Sequence, residues 1–178
     1  MESAPLPTNE FQRLKATADA GLFDPNPDPE LDRLVHGAAR VCHAPVSAIS
    51  FLGADLQYLK ARIGVDFDRT PRDVAFCAHA ILRPEMFVVT DAREDVRFQD
   101  NPLVIGAPYI RFYAGVPITN SEGLALGIIC VIDYVPRWLS ITQADALKCL
   151  ARDAGVYLDV RQIAVWGSIT SPTCACDN

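Results

Sequence analysis

Long hydrophobic runs are missing from this chain of 178 residues. The longest, residues 124–132 (LALGIICVI), is far short of the roughly 20 apolar residues that cross a bilayer. Basic excess is missing too: 16 Lys and Arg face 22 Asp and Glu, for a net charge of −6 with the signs interspersed. That balance argues against nucleic acid or anionic membrane as the main partner. Met1 opens a polar, acidic segment with no basic-then-apolar leader, so no secretory signal is expected and the chain reads as cytoplasmic. There is no glycine-rich phosphate cradle, no interleaving of basic and aromatic residues, and no internal repeat. Histidine is scarce, with 3 in all. Two of them, His36 and His43, fall on one helical face but about 10 Å apart along the axis, too far to share a metal. The 6 cysteines are scattered, and Cys174-Ala175-Cys176 is the one close pair. Two thiols do not complete a tetrahedral zinc site, so no metal is expected, and the cysteines read as reduced thiols. Ala175, fourth from the end, excludes a prenylation box.

What is present is enough for one ordinary domain with a sizeable core, since half the residues are apolar. The richest stretch is 110–133, IRFYAGVPITNSEGLALGIICVID, which reads as strands 110–119 and 125–133 around the turn Asn120-Ser121-Glu122-Gly123. Alternation puts Phe112, Ala114, Val116 and Ile118 on one face, and Arg111, Tyr113, Gly115 and Pro117 on the other. The second strand is apolar on both faces and must be covered on both, as at the centre of a sheet packed between helices. Pro117 suggests a bulge or an unpaired ladder position.

Upstream, Thr8 or Asn9 starts a first helix with a stripe of Phe11, Leu14, Ala18 and Leu22, stopped at Gly21. Asp28-Pro29-Glu30 combines an N-cap, a proline at the first helical position and an acid in the first turn. The helix it opens runs to Cys42 with Leu31, Leu34, Val35, Ala38 and Val41 inward. Strands at 48–52 and 57–63 form a hairpin, 74–82 a short helix, and 86–90 a further strand. Residues 98–108 make a long connection of the kind that is functional or mobile. A last helix is expected to be capped by Thr142 with Asp145 three positions on, and its stripe is Leu147, Leu150, Ala151, Ala154 and Leu158. The boundaries are an N-terminal extension at 1–8, a domain at 9–166 and a small, polar, loosely ordered tail at 167–178.

At this point several phrases resemble the GAF sensory domain, in the form found in bacterial sensor histidine kinases and cyclic-di-GMP enzymes. They are TPRDVAFCAHAI from Thr70, VTDA from Val89, Arg97-Phe98, NPLV from Asn101, IRFYAGVP from Ile110 and LGIICVID from Leu126. The resemblance covers about residues 9–161. It implies an α+β fold: a central, mostly antiparallel sheet of five or six strands, terminal helices on one face, short helices and loops on the other. GAF domains bind cyclic nucleotides, bilins, haem, small metabolites or nothing known, so the family leaves the ligand open. No output module is recognised in the sequence, so the domain either acts through partner contact or is part of something larger.

The chemistry-bearing residues are few. Phe76-Cys77-Ala78-His79 places a thiol near an imidazole, but on a helix the two point about 200° apart. Bilin attachment in the related domains typically uses adjacent Cys-His, and Ala78 intervenes, so neither bilin nor haem is expected. Free methionine sulfoxide reductases share the fold and need two thiols within reach of each other; Cys77 and Cys130 are the pair to consider, although burial of Cys130 argues against reactivity. Asp91, Glu94 and Asp95 read as solvated loop acids. Arg111 on a buried ribbon requires a carboxylate, Asp91 or Asp133, or an anionic ligand. The expected function is a non-catalytic sensory or regulatory domain, with no catalytic residue. An unidentified small molecule would bind among Phe76, Cys77, His79, Asp91, Phe98, Arg111 and Tyr113, and the signal would pass through the terminal helices to an output protein. A homodimer through the first and last helices is expected, because their apolar stripes exceed what one sheet face covers. The alternatives are a ligand-free interaction scaffold and a sulfoxide reductase.

Overall fold

The computed structural model describes residues 3–169, with side chains as far as Gln162. Eleven elements follow one another: α1 (Glu10–Asp19), α2 (Pro29–Cys42), β1 (Val46–Leu52), β2 (Leu56–Ile63), β3 (Arg69–Pro71), α3 (Phe76–Ala80), β4 (Phe87–Val89), α4 (Pro102–Ile105), β5 (Phe112–Thr119), β6 (Ala125–Asp133) and α5 (Ile141–Ile169). The strands form one antiparallel sheet in the order β3-β2-β1-β6-β5-β4. The α+β architecture expected from the sequence is therefore present, with six strands. The end of α5 overlaps the expected tail boundary at 167, and the remainder of that tail lies outside the described residues.

Two apolar cores flank the sheet. On one side Leu34, Val35 and Ala38 of α2 and Leu147, Ala151, Ala154 and Leu158 of α5 pack on Phe112, Ala114, Val116, Ile129 and Val131. On the other, Phe76 and Cys77 of α3 join Phe98, Val104, Tyr113, Ile128 and Cys130. The alternation of residues 112–118 and 128–131 thus sorts them between the cores as expected. A register shift between Ile118 and Thr119, however, turns Leu126 into the α2–α5 core, away from Ile128 and Cys130. Strand β2 changes core midway: Ile49 stands opposite Ala61 but Ser50 opposite Leu59, so Lys60 is an extra residue. This bulge turns Ala61 toward the α2 side and Leu59 toward the α3 side. Pro117 keeps its register with Ile128. Its other edge is unpaired, because β4 faces β5 only from Tyr113 to Gly115, and the β5–β6 ladder shifts register just beyond it, between Ile118 and Thr119.

Helix α2 begins as its sequence dictates: Asp28 accepts from the backbone N–H groups of Glu30 and Leu31, at 3.2 Å each. Its last inward residue is Cys42, while Val41 is exposed. Helix α1 departs further from expectation. Phe11 is 78% exposed, and the buried positions are Arg13 and Thr17. Arg13 donates two bonds of 2.9 Å to Glu10 and one of 2.8 Å to the Leu52 carbonyl, so a paired guanidinium takes the inward place that the apolar stripe suggested for Phe11. The cap of α5 also shifts, to Ser140 and Gln143, whose side chains bond each other's backbone N–H at 3.2 and 2.9 Å. Of the α5 stripe, Leu147, Ala151, Ala154 and Leu158 are buried within this chain and Leu150 is half-buried against the same core, so the surplus expected to drive a dimer contact is small.

Candidate functional site

Helix α3 lies across β1, β5 and β6, and its Cys77 side chain points at the sheet. The sheet meets it with small residues. Cys130 of β6 stands opposite Gly115 of β5 and Ala48 of β1, which leaves room for the Tyr113 ring to fold over the strand. A Cβ on Gly115 would overlap the hydroxyl and ring of Tyr113, so only glycine admits this arrangement. The Tyr113 hydroxyl then donates to Cys77 Sγ at 3.1 Å, and the Ser50 hydroxyl does so at 3.4 Å. Cys130, on the strand beneath α3, lines the same cavity as Cys77.

These contacts make the two thiols unequal. The neighbouring Cys130 thiol, together with the Ser50 and Tyr113 hydroxyls, draws the Cys77 thiol below its ordinary value against the opposing effect of burial. Cys130 is pushed well up by the neighbouring Cys77 sulfur and by burial. Tyr113 is also pushed well up, by burial first and then by the two sulfurs.

Beside the thiols is a cavity of about 30 Å³, lined by Gln57, Thr70, Phe76, Cys77, Ile110 and Cys130 with apolar neighbours. It has room for one or two water-sized molecules. No charged side chain lines it among the described residues. Gln57 and Thr70 face each other across the β2–β3 ladder and are 7% and 8% exposed. Gln57 Oε1 and Thr70 Oγ1 are both buried without a hydrogen-bond partner. Buried polar atoms are seldom left so, because each costs about 1–3 kcal/mol.

Of the residues singled out from sequence, Phe76 and Cys77 line this cavity. Phe98, Tyr113 and His79 pack behind it as an aromatic wall. Phe76 and Phe98 stack with centroids 4.0 Å apart, and His79 meets Phe98 edge-on at 4.8 Å. Arg111 lies just before β5 and donates to the carbonyls of Val104 and Ile110, at 2.9 and 3.0 Å. It joins neither expected carboxylate in an ion pair, since Asp91 binds Arg93 and Asp133 binds Arg137. Hydrogen bonds from Arg93 lower the Asp91 carboxyl. The long connection at 98–108 carries α4, which Asn101 caps by accepting from the Leu103 N–H at 2.8 Å while its amide donates to the Val74 carbonyl.

Sequence reasoning missed Gln57, Thr70 and Ser50. A signal existed for Gln57, which is in phase with Leu59 and therefore shares its buried face. Ser50 and Thr70 are ordinary strand residues whose role appears only when three strands and α3 come together.

The comparisons with known proteins agree with this architecture. A cyclic di-GMP phosphodiesterase from Pseudomonas aeruginosa is 42% identical over 137 residues, which is 77% of this chain and 23% of that protein; this chain thus spans about a quarter of its relative. The GAF domain of a phosphoenolpyruvate-protein phosphotransferase from Coxiella burnetii superposes with a TM-score of 0.64 at 16% identity, covering 90% of this chain and 97% of that one. A free methionine-R-sulfoxide reductase from Neisseria meningitidis, solved with its substrate, gives 0.60 at 15% identity over 94% and 99%. Such identities speak for the fold alone. No described helix is long and apolar enough to cross a membrane. With the GAF domain model matching residues 26–158 on a sheet, helix order and core of this form, the chain belongs to the GAF domain family.

Proposed function

We propose that this chain is a sensory GAF module that binds a small uncharged molecule between α3 and the sheet and passes its occupancy to an output through α5. The observation that carries this reading is the pair of buried, unpartnered oxygens, Gln57 Oε1 and Thr70 Oγ1, on a cavity that no charge lines. A ligand offering a donor and an acceptor would complete both. The route outward is supported by α5 packing on β5 and by its Tyr157 and Arg161, which bond Asp28 at the start of α2. The phosphodiesterase relative, four times longer than the matched segment, supports a place inside a larger signalling protein. Native mass spectrometry of protein purified from its host tests the reading. A retained small molecule, lost in Thr70→Val, supports it; a bare dimer supports the scaffold instead. Such a dimer would use the outward residues Phe11, Val156 and Val160, which are exposed here.

A second reading, a thiol-dependent sulfoxide reductase, is favoured by Cys77 and Cys130 lining one cavity. The cavity size opposes it, because about 30 Å³ does not hold a whole methionine sulfoxide. Turnover of free methionine sulfoxide that disappears in Cys77→Ser would establish the enzyme; no turnover removes it.

A further inference from the structure

The cavity and the thiols have more in common than adjacency. Cys77 and Cys130 are both 2% exposed, yet both line the same water-sized space. A buried cysteine in a sealed core is inert because nothing reaches it. These two open on a space that a molecule of two oxygen atoms fits and that most metabolites do not. The same space is lined by the two residues with unpartnered oxygens, Gln57 Oε1 as an acceptor and the Thr70 hydroxyl as donor or acceptor. Hydrogen peroxide matches that set: it is uncharged, has two O–H donors, and accepts at both oxygens.

We infer that the cavity admits hydrogen peroxide and that Cys77 and Cys130 form a peroxide-responsive thiol pair. Gln57 and Thr70 hold the oxidant against the sulfurs. Cys77 Sγ attacks one peroxide oxygen and the O–O bond breaks. The second oxygen leaves as water with the thiol proton, and Cys77 becomes a sulfenic acid. Cys130 Sγ then attacks the Cys77 sulfur, the S–O bond breaks, and the hydroxyl leaves as a second water with the Cys130 proton. Two thiols lose two electrons in forming one disulfide, and one peroxide gains them. Two donors on Cys77, the hydroxyls of Ser50 and Tyr113, support it as the attacking sulfur. The product would tie α3 to β6, the strand beside β5 on which α5 packs. The inference shares its cavity with the ligand reading but does not need a retained ligand.

Peptide mapping tests it. The reduced, folded chain is treated with a few equivalents of hydrogen peroxide, its free thiols are alkylated after quenching and unfolding, and disulfides are identified by mass. A Cys77–Cys130 cross-linked peptide is expected, while Cys130→Ser should accumulate a dimedone-reactive Cys77. Cumene hydroperoxide, too large for the cavity, should form the link at least ten-fold more slowly. Gln57→Leu should slow the peroxide reaction several-fold without altering the far-ultraviolet spectrum. Cys77 and Cys130 both remaining alkylatable while exposed Cys149 oxidises would overturn the inference. Equal rates with both peroxides would overturn it as well. If Cys130→Ser does not fold, the wild-type map and the two-peroxide comparison decide alone. An absent native ligand would remove the ligand reading and leave these outcomes untouched.

Discussion

The Tyr157 hydroxyl donates to both carboxylate oxygens of Asp28, at 3.0 and 3.1 Å, tying the last helix to the residue that caps the second. Asp28 thereby serves two purposes: it satisfies two N–H groups at the start of α2 and anchors α5 through Tyr157 and Arg161. Asp28→Ala should cost about 2 kcal/mol, about half from the cap and half from the lost partners. Tyr157→Phe should cost about 1 kcal/mol. Urea unfolding of both single variants and the double variant should show coupling of at least about 0.5 kcal/mol. Additive effects would mean that α5 does not feel the cap.

Glu10 sets an acid limit on stability. Burial alone would raise its carboxyl, but hydrogen bonds from Arg13 and Arg72, and their charges, hold it at about 2 instead of 4.5. Arg72 reaches it from the turn before α3, and it also bonds the Gly53 carbonyl. A lowered folded-state value means that the stabilisation is complete above about 4.5 and is lost as pH falls from there toward 2. The gap corresponds to about 3 kcal/mol at most, and solvent screening of the partly exposed carboxylate brings the stabilisation down to about 1–2 kcal/mol. Melting temperature measured from pH 2 to 6 should fall more steeply for the wild type than for Glu10→Gln. At neutral pH the variant should be less stable by a similar amount, since it leaves two buried guanidiniums without their carboxylate.

Gly155 is a point of close approach between α5 and the sheet. A Cβ there would meet the carbonyl oxygen of Thr119 at the end of β5. Glycine inside a helix costs about 1 kcal/mol relative to alanine, so an unconstrained site would gain from Gly155→Ala. Here the substitution forces helix and strand apart, and a loss of about 1–3 kcal/mol is expected in thermal or urea unfolding. A gain in stability would show that α5 is free to lift from β5.

Some of this arrangement is local and could be read directly. Asp28-Pro29-Glu30 starts a helix whatever lies around it, and the doubly apolar strand β6 demands two covered faces. Other parts depend on distant partners. Arg13 is inward because the Leu52 carbonyl and Glu10 receive it, and no periodicity in 10–19 announces a buried guanidinium that displaces Phe11. Ser140 competed with Thr142 as the cap of α5, and Gln143 decided it. The candidate site was half legible. Phe76 and Cys77 came from one contiguous motif, whereas Gln57 and Thr70 reach the cavity through the Lys60 bulge and a three-residue strand. Arg111 drew attention as a charge on a buried ribbon, but backbone carbonyls satisfy it as well as a carboxylate would.

Thr70 and Gln57 separate function from stability by sign. A buried hydroxyl with no partner penalises the folded state, so an apolar residue of the same shape should improve it. Thr70 also lies in strand β3, where valine is well suited. Thr70→Val in the ligand-free chain should therefore raise the melting temperature by several degrees, for a gain of about 1 kcal/mol. The same change should abolish retention of any small molecule and slow peroxide oxidation of Cys77, because the residue that would hold either one has lost its oxygen. A stabilised chain that no longer responds is the signature of an oxygen kept for binding. If Thr70→Val instead destabilises the ligand-free chain by more than about 1 kcal/mol, the hydroxyl has an internal partner in solution, and the cavity carries one polar group fewer than the proposed function requires.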